Sequence, residues 1–308
     1  MDIGIVGLGR MGGNMVRRLA RGGVSVTGWA LETDVTQSLG EETGFVPPDS
    51  LEAMVSQIDA PRVVWVMVPA GAATESTIES LKGLLQPGDV VVDGGNSMFK
   101  DSIRHSEELA EAGIGFVDAG VSGGVWGLSE GYALMVGGAP AHVERVERFL
   151  RVLAPASDRG WTHCGPAGSG HYVKMIHNGI EYGMMQAFAE GFALMEHRTE
   201  FDLDLAAIAE TWRHGSVVRS WLLDLIAEFL DQDASLSEIA PFVSDSGEGR
   251  WTVIDSIEQG VPAPVITMAM AARFASQGKA DYGNRMLAMM RNAFGGHAVK
   301  DAAGEGGQ

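Results

Sequence analysis

The sequence predicts an α/β protein in which a doubly wound parallel sheet is followed by an all-α part with a long central helix. In the first half, short β-branched and apolar runs alternate with amphipathic helical segments, as expected for strands that helices cover on both faces. In the second half the β-type runs stop and helical patterns follow one another. A chain of 308 residues is long enough for two domains, and we expect one over residues 1–166 and another over residues 167–308.

The strands and helices of the first half follow from these patterns in order. The expected strands are the apolar runs Ile3–Val6, Val24–Trp29, Arg62–Val68, Val90–Asp93, Gly115–Asp118 and Gly131–Gly138. The expected helices between them include Met11–Arg21, Ser102–Ala112 and Ala141–Leu153.

The second half opens with one nearly unbroken helical pattern, Gly168–His197. Apolar residues occur almost all round this helix, so we expect it to run through a core. Shorter helices are expected over Leu203–Arg213, Trp221–Asp231, Trp251–Glu258, Val265–Ser276 and Tyr282–Phe294. The tail over residues 302–308 is expected to be disordered.

The composition is strongly acidic, with 22 Lys and Arg against 40 Asp and Glu and a net charge of −18. Such a surface repels phosphate, so we expect neither nucleic acid nor membrane as a main partner. The single cysteine, Cys164, allows no intrachain disulfide and offers no metal-site spacing, which indicates a free thiol and no metal. No apolar run approaches the roughly 20 residues that span a bilayer, and the chain starts without a signal-peptide pattern. We therefore expect a cytoplasmic protein.

A glycine-rich motif directly follows the first expected strand and opens the first helix. It reads Gly7-Leu8-Gly9-Arg10-Met11-Gly12, which is G-x-G-x-x-G. The first glycine permits the tight turn, the second lets backbone N–H groups reach a pyrophosphate, and the third allows close packing of helix on strand. At this place in a β-α-β unit, the motif predicts a Rossmann-type dinucleotide-binding domain.

The end of the second strand bears on the choice between NAD and NADP. An acid there usually binds the ribose hydroxyls of NAD, whereas a basic residue accommodates the 2′-phosphate of NADP. The stretch Gly28–Glu32 contains no Lys or Arg, and Glu32 would repel a 2′-phosphate. NAD is therefore favoured, with NADP left open because Ala30 stands where the acid is usual.

Four polar residues stand out in the long helix, at positions i, i+3, i+4 and i+7: Lys174, His177, Asn178 and Glu181. Helical geometry places all four on one face. A solvated face is one interpretation. The apolar surroundings and three glycines, each costing about 1 kcal/mol of helix propensity, favour a functional face instead. A Lys and a Glu in a partly dry site suit acid–base chemistry.

The run from His171 to Gly183 resembles the central helix motif of decarboxylating 6-phosphogluconate dehydrogenases. Lys174, Asn178 and the Ser-Gly-Gly loop are shared with the wider β-hydroxyacid dehydrogenase superfamily, whereas His177, Glu181 and Tyr182 are more specific. The length resembles the short form of the family, which lacks the duplicated helical half. The resemblance also includes Gly7–Gly12, Asp93–Ser97, the loop Gly120–Gly124, Gly247–Thr252 and Arg291–His297.

The resemblance implies oxidation of a sugar acid at its C3 hydroxyl, loss of CO2, and tautomerisation to a ketose. Lys174 is expected to exchange the hydroxyl proton, and Glu181 to protonate C1 of the enediol. The residues expected to bind the substrate are Asn96, Ser122, Gly123, Gly124, His177, Asn178, Tyr182, Arg273, Arg291 and His297. The cofactor is expected to contact the G-x-G-x-x-G residues together with Glu32, Val68, Pro69 and Asn96. Decarboxylation of a β-keto acid needs no metal, only a donor for the developing enolate.

The resemblance further implies a homodimer or a tetramer of dimers, in which Arg291 and His297 reach the neighbouring subunit's site. One departure concerns the phosphate: two positions that are usually Lys and Thr in the long enzymes are here Ser246 and Glu248. Either Glu248 points away and Arg250 substitutes, or the substrate is not 6-phosphogluconate.

Two alternatives remain open from the sequence. The first is a non-decarboxylating NAD-dependent β-hydroxyacid dehydrogenase that acts on another 3-hydroxy or sugar acid. The second is a dinucleotide-binding sensor or assembly subunit that kept the fold and lost the chemistry.

Overall fold

The computed structural model describes residues 2–300, which form two compact units. The first unit extends to His177 and the second begins at Asn178, so the division falls inside a helix. The predicted boundary at position 166 lies before this division, at the point where the alternating strand and helix pattern of the sequence ends. The expected disordered tail, residues 302–308, lies outside the described residues.

The first unit contains a seven-stranded sheet with the strand order β2-β1-β3-β4-β5-β6-β7. Neighbouring strands pair in parallel, except that β5 and β6 are antiparallel. The strands are β1 (Ile3–Val6), β2 (Val26–Trp29), β3 (Val63–Val66), β4 (Val90–Asp93), β5 (Gly115–Ser122), β6 (Ala133–Gly138) and β7 (Trp161–Gly165). This confirms the predicted doubly wound sheet.

Helices lie between most of these strands and bury both faces of the sheet in two apolar cores. Alternate residues of β3 enter opposite cores: Val63 and Trp65 belong to one, and Val64 belongs to the other. The helices are α1 (Arg10–Arg21), α2 (Thr33–Thr43), α3 (Leu51–Ser56), α4 (Ala72–Leu84), α5 (Phe99–Ala110), α6 (Gly127–Glu130) and α7 (Pro140–Leu153).

The sequence prediction differed from the structure at two strands. β7 was not predicted, because it contains His163 and glycine instead of an apolar run. β5 continues to Ser122, whereas the prediction ended it at Asp118 and placed Gly120–Ser122 in a loop. A buried carboxylate and a glycine interrupt the apolar pattern, although the backbone stays paired with β6 to its end.

The long helix α8 (Ser169–Glu196) begins in the first unit, where β5 fixes its N-terminus. The fully buried Asp118 carboxylate accepts hydrogen bonds from Gly168 N–H (2.7 Å) and His171 N–H (2.8 Å). A carboxylate at this end satisfies free N–H groups and complements the helix dipole. A β-carbon at Gly170 would lie 2.6 Å from Asp118 O, so only glycine lets the helix approach the strand this closely.

The second unit is all-helical. Beyond the rest of α8 it contains α9 (Leu205–Arg213), α10 (Trp221–Gln232), α11 (Glu248–Gln259), α12 (Pro264–Ser276) and α13 (Asp281–Gly295). Its buried apolar clusters are small, one around Leu223 and Leu230 and another around Tyr182 and Met270.

The expectation that α8 runs through a core is wrong within a single copy of the chain. Met175 and Tyr182 are buried, but Ile180 is 53% exposed and Leu194 is 75% exposed. An apolar pattern all round a helix predicts that the helix is covered, but it does not tell whether the same chain or a partner covers it. In a single copy, one side of α8 remains exposed. No helix within residues 2–300 combines the length and the apolar character that a membrane span requires.

Candidate active site

The G-x-G-x-x-G motif forms the turn between β1 and α1, and each glycine is used differently. Gly7 has φ of +91°, which favours glycine. A β-carbon at Gly12 would lie 1.9 Å from Gly7 O, so this position allows close packing of helix and strand. A β-carbon at Gly9 would meet nothing within 4 Å, which leaves space beside the backbone for a ligand.

The N-terminus of α1 suits a dinucleotide pyrophosphate. Gly9 precedes the helix without a side-chain cap, and no acidic residue stands in the first turn. The free N–H groups and the positive end of the helix dipole therefore remain available to an anion. Leu8 is buried in the core, whereas Arg10 is exposed and Met11 half-buried.

The ends of neighbouring parallel strands meet beside this turn. The Val68 Cγ1 would lie 2.9 Å from a β-carbon at Gly7, and the Val68 carbonyl oxygen 3.0 Å from one at Gly95. Pro69 follows Val68 and Asn96 follows Gly95, and both Pro69 and Asn96 are exposed. In sheets of this type ligands bind at the carboxyl ends of the strands, where the strand order reverses, here between β1 and β3.

The end of β2 carries the residues that bear on the ribose. Ala30 is buried, and its N–H donates to Thr36 Oγ1 at 3.1 Å. Glu32 is exposed and precedes α2, whose first turn also contains Asp34. This end of the strand therefore presents carboxylates and no cation.

On the other side of the sheet, alternate residues of β5 contact successive turns of α8. A β-carbon at Gly120 would lie 2.3 Å from Lys174 Cβ, so the lysine stem packs on the strand backbone, and Lys174 is only 7% exposed. Ser122 Oγ lies 3.5 Å from His177 Nε2. Of the predicted substrate residues, the structure thus brings together Ser122, His177 and the lysine that we expect to exchange protons.

Two groups near this helix were not predicted from the sequence. One is Asp118, described above. The other is His171, whose Nδ1 lies 2.7 Å from Ser102 Oγ on α5, with both residues buried. The usable signal for Asp118 was a carboxylate inside an apolar strand, because buried charges are rare unless they have a defined partner.

In the second unit, Tyr182 of α8 lies at the centre of a polar group. Its hydroxyl lies 3.0 Å from Ser246 Oγ and accepts a hydrogen bond from Ser246 N–H at 3.2 Å. Arg273 stacks on the tyrosine ring with its guanidinium carbon 3.5 Å from the ring centroid, and donates to Ser244 O at 2.9 Å. Stacking and hydrogen bonding together hold this guanidinium beside the phenol.

Glu248 points toward this group and not away from it. It is 3% exposed, and Oε2 accepts a hydrogen bond of 2.8 Å from Ser246 Oγ. Its other oxygen has no hydrogen-bond partner within residues 2–300. Arg250, which the sequence offered as a substitute, donates to Asp245 at 2.6 Å and lies 5.3 Å above the Phe274 ring.

α11 packs on α8 through two glycines. A β-carbon at Gly179 would lie 2.7 Å from Thr252 Cγ2, and one at Gly249 would lie 2.4 Å from the Tyr182 ring. Asn178 is buried in this unit and Glu181 is half-buried.

The remaining predicted residues lie at the far end of the chain. Arg291 and His297 are exposed, and α13 has no buried residue. Within the described part of the chain, no hydrogen bond joins either side chain to Tyr182 or Arg273. Across residues 2–300, no three His, Cys, Asp or Glu side chains gather as metal ligands would.

Known proteins resemble the chain over its whole length. The family described as the NAD binding domain of 6-phosphogluconate dehydrogenase matches residues 2–165, and the family described as the 6-phosphogluconate dehydrogenase C-terminal domain matches residues 170–301. The putative 6-phosphogluconate dehydrogenase YqeC of Bacillus subtilis is 40% identical over 303 residues, 97% of this chain and 99% of that protein. The NAD(+)-dependent, decarboxylating 6-phosphogluconate dehydrogenase of Haloferax volcanii is 39% identical over 300 residues, 97% of this chain and 98% of that protein.

A solved structure agrees with these relatives. The 6-phosphogluconate dehydrogenase of Plasmodium falciparum, determined in its apo form, with NADP+ and with 6-phosphogluconate, superposes with a TM-score of 0.83 at 27% identity. The superposition covers 99% of this chain and 67% of that chain.

The fold and the dinucleotide loop define a Rossmann-type oxidoreductase with an appended helical domain. The chain belongs to the 6-phosphogluconate dehydrogenase family, as the full-length matches show. Since the chain covers nearly all of the Bacillus and Haloferax proteins but 67% of the Plasmodium enzyme, its length is that of the shorter members.

The acidic residue beside Tyr182 supports a prediction about stability. Burial raises the pKa of Asp245, but hydrogen bonds from Gly247 N–H, Arg250 and Tyr182 together hold it below its ordinary value. Asp245→Asn should therefore lower the free energy of unfolding at neutral pH, by about 1–3 kcal/mol. Because the folded pKa is depressed, this contribution is present above the unfolded pKa, near 3.9, and is lost as the pH falls through the folded value.

Urea unfolding between pH 7 and pH 3 measures this difference. The gap between wild type and Asp245→Asn should be constant down to about pH 4 and should narrow below it. Asp231→Asn, an exposed change on α10, is the control and should be nearly neutral. A gap for Asp245→Asn that is independent of pH would contradict the assignment.

Proposed function

We propose that this chain oxidises 6-phosphogluconate at C3 with NAD and decarboxylates the product to ribulose 5-phosphate and CO2. The observation that carries the proposal is the α8 face of Lys174, His177, Asn178 and Glu181 in a chain whose full-length relatives bear that activity in their names. The lysine of this face is buried against β5 beside Ser122, as a proton-transferring group that works on a held hydroxyl requires.

Lys174 takes the proton of the C3 hydroxyl and later returns one to the enolate oxygen. The close approach at Gly120 holds the Cβ and Cγ atoms of its side chain against the strand. Ser122, Gly123 and Gly124 follow directly at the end of β5, where a side-chain hydroxyl and backbone N–H groups can bind the carboxylate and hydroxyls. His177 and Asn178 on the same helix face contribute further donors.

Glu181 supplies the proton that C1 of the enediol needs after CO2 has left. It lies seven residues beyond Lys174, about 10 Å along the helix axis, and both side chains project from the same face. A carboxyl group and an amine on one helix face can thus serve two different carbons of one substrate.

We propose NAD as the preferred cofactor, with its pyrophosphate at the α1 N-terminus and its ribose near Glu32. Bound there, NAD would supply the acceptor for the hydride that leaves the hydroxyl carbon. Glu32 and Asp34 at the start of α2 support NAD, because both carboxylates would repel a 2′-phosphate. The proposed contacts at the carboxyl ends of β3 and β4 are Val68, Pro69 and Asn96.

We propose that Tyr182 and Arg273 bind the phosphate, with Arg291 and His297 supplied by a second copy of the chain. Two carboxylates near the tyrosine are unfavourable for a phosphate. One is Asp245, which accepts a hydrogen bond from the Tyr182 hydroxyl at 3.4 Å, and the other is Glu248. Its position in the first turn of α11 and its hydrogen bond from Ser246 compensate part of that charge inside the unit.

The exposed apolar surface of the second unit supports a homodimer or a tetramer of dimers. None of the 15 residues of α13 is buried. Its exposed residues include large apolar side chains, such as Leu287 (57% exposed) and Phe294 (81% exposed). A helix with an apolar face is stabilised chiefly by packing that face, so a second copy is the partner we expect. We also propose a cytoplasmic location, which the single free thiol supports.

Turnover with 6-phosphogluconate tests the proposed function. We expect NADH and CO2 in equal amounts, and a larger kcat/KM with NAD than with NADP. NADH formed without CO2 would favour the non-decarboxylating alternative, for which the carboxylate of Glu248 is the supporting observation. Tight NAD binding without turnover on any sugar acid would favour a sensor.

Two variants on α8 separate the proposed roles. Lys174→Met should lower the rate of hydride transfer and Glu181→Gln should lower turnover, each by about 10²–10⁴-fold, because each removes one proton-transfer group. Glu190→Gln, an exposed change on the same helix, is the matched control. Normal turnover by Glu181→Gln would refute its role as the acid.

Sedimentation of the active enzyme tests the assembly. Dimers or tetramers should persist at assay concentrations, because the apolar faces of α8 and α13 need a cover. A monomer with full activity would overturn the assignment of Arg291 and His297 to a neighbouring subunit.

A further inference from the structure

The helix that presents the dinucleotide loop also carries an arginine with an unusual set of acceptors. Arg18 of α1 donates to five backbone carbonyl oxygens: those of Val152 (3.0 Å), Leu153 (3.0 Å), Ala154 (2.6 Å), Leu128 (3.3 Å) and Ser129 (3.5 Å). Within residues 2–300 it makes no ion pair. A half-buried guanidinium whose three nitrogens all donate to backbone oxygens holds chain segments in place, because backbone acceptors belong to the fold and not to a mobile side chain.

These acceptors are the last carbonyl groups of two helices. Val152 and Leu153 end α7, and Leu128 and Ser129 belong to the last turn of the four-residue α6. Carbonyls at helix C-termini lack partners within the helix and carry partial negative charge, so a cation binds well there. One side chain thus caps α6 and α7 together and joins both to α1.

The segment that Arg18 holds is the loop over residues 123–131, which begins directly after Ser122. It is wrapped tightly round Tyr132: β-carbons at Gly123 and Gly127 would lie 3.1 Å and 1.9 Å from the tyrosine ring. Burial raises the pKa of Tyr132 to about 12, partly offset by the positive charge of Arg18. The buried Tyr132 hydroxyl has no hydrogen-bond partner within residues 2–300, so the ring supports the loop by packing and polar attachment comes from elsewhere.

Arg18 and its neighbours supply that attachment. One helical turn before it, Asn14 Nδ2 donates to Val125 O at 3.4 Å, on the same face of α1. At the end of the loop, Tyr132 N–H donates to Leu153 O at 2.9 Å, beside the carbonyls that Arg18 binds. The loop is thus fixed at its start, its middle and its end to α1 and to the end of α7.

We propose that Arg18 is a positioning residue for substrate binding, because it holds the loop over residues 123–131 against the dinucleotide-binding helix and so fixes Gly123 and Gly124. The proposal rests on the proposed function, in which those two glycines bind the sugar acid. The hydrogen bonds of Arg18 reach residues 128, 129 and 152–154, and none of these is among the residues proposed to bind cofactor or substrate. Its loss should weaken productive substrate binding and leave dinucleotide binding nearly intact.

The test compares wild type with Arg18→Met, which keeps most of the side-chain stem and removes all five donors. We expect kcat/KM for 6-phosphogluconate at saturating NAD to fall by about tenfold or more, since a small misplacement of binding groups is costly. The Kd for NAD should change by less than about twofold, or under 0.4 kcal/mol. Amide hydrogen exchange in residues 123–131 should become faster.

Two further variants bracket the result. Arg21→Met changes an exposed arginine one turn later on α1 and should match wild type in all three measurements. Arg18→Lys keeps the charge near the helix ends but loses the guanidinium fork, so its kcat/KM and its exchange should be intermediate. If Arg18→Met does not fold, Arg18→Lys must still lower kcat/KM while sparing the Kd for NAD.

Three outcomes would overturn the inference. The first is kcat/KM of a folded Arg18→Met within twofold of wild type. The second is an NAD affinity that falls as much as kcat/KM, which indicates general distortion of α1. The third is unchanged exchange over residues 123–131. The exchange measurement needs no substrate, so it still decides the role of Arg18 if wild type fails to turn over 6-phosphogluconate and the proposed function falls.

Discussion

The hydrogen bonds from the N-terminus of α8 to the Asp118 carboxylate are the contact on which the rest of the first unit's site depends. A buried carboxylate is costly unless donors surround it, and here Gly168 N–H, His171 N–H and the positive end of a 28-residue helix compensate it. Because side chains alternate along a strand, Gly120 and Ser122 face the same helix. Once Asp118 sets the register, Gly120 meets Lys174 and Ser122 meets His177.

Some of the proposed substrate-binding groups lie on regular helices and strands, and others lie on a loop that outside contacts hold in place. Lys174 and Ser122 lie on regular elements, which position groups more precisely than loops do. The backbone after Ser122 belongs to a loop rich in glycines, whose backbone freedom must be removed by contacts from outside. Arg18 provides such contacts from α1, and Tyr132 provides them from the position just before β6. In the second unit, Tyr182 has a comparable place, because Gly249 of α11 and the guanidinium of Arg273 both pack on its ring.

Much of the fold was predictable because its signals are local. Apolar runs marked β1 to β6, and the glycine motif identified the β1–α1 turn before any packing was known. The full length of β5 was not predictable, since Asp118 and Gly120 serve α8 and break the strand's apolar pattern. Nor could periodicity tell whether Ile180 and Leu194 face the chain's own core or an outside partner. Helical spacing marked Lys174 and Glu181, and the resemblance supplied Ser122 and the specific roles of all three. The role of Arg18 left no sequence signal, because backbone carbonyl acceptors are the same for every residue type.

In the proposed function, the Asp118 contact places α8, and hence Lys174, for proton transfer. The substitution Asp118→Asn tests this placement, since the amide keeps the shape but replaces one acceptor oxygen by a donor facing a helix N–H. The measurement is kcat/KM for 6-phosphogluconate, alongside the Kd for NAD as a check that the first unit remains folded. We expect a loss of about 100-fold in kcat/KM with NAD binding nearly unchanged. Wild-type kcat/KM in a folded Asp118→Asn protein would contradict it.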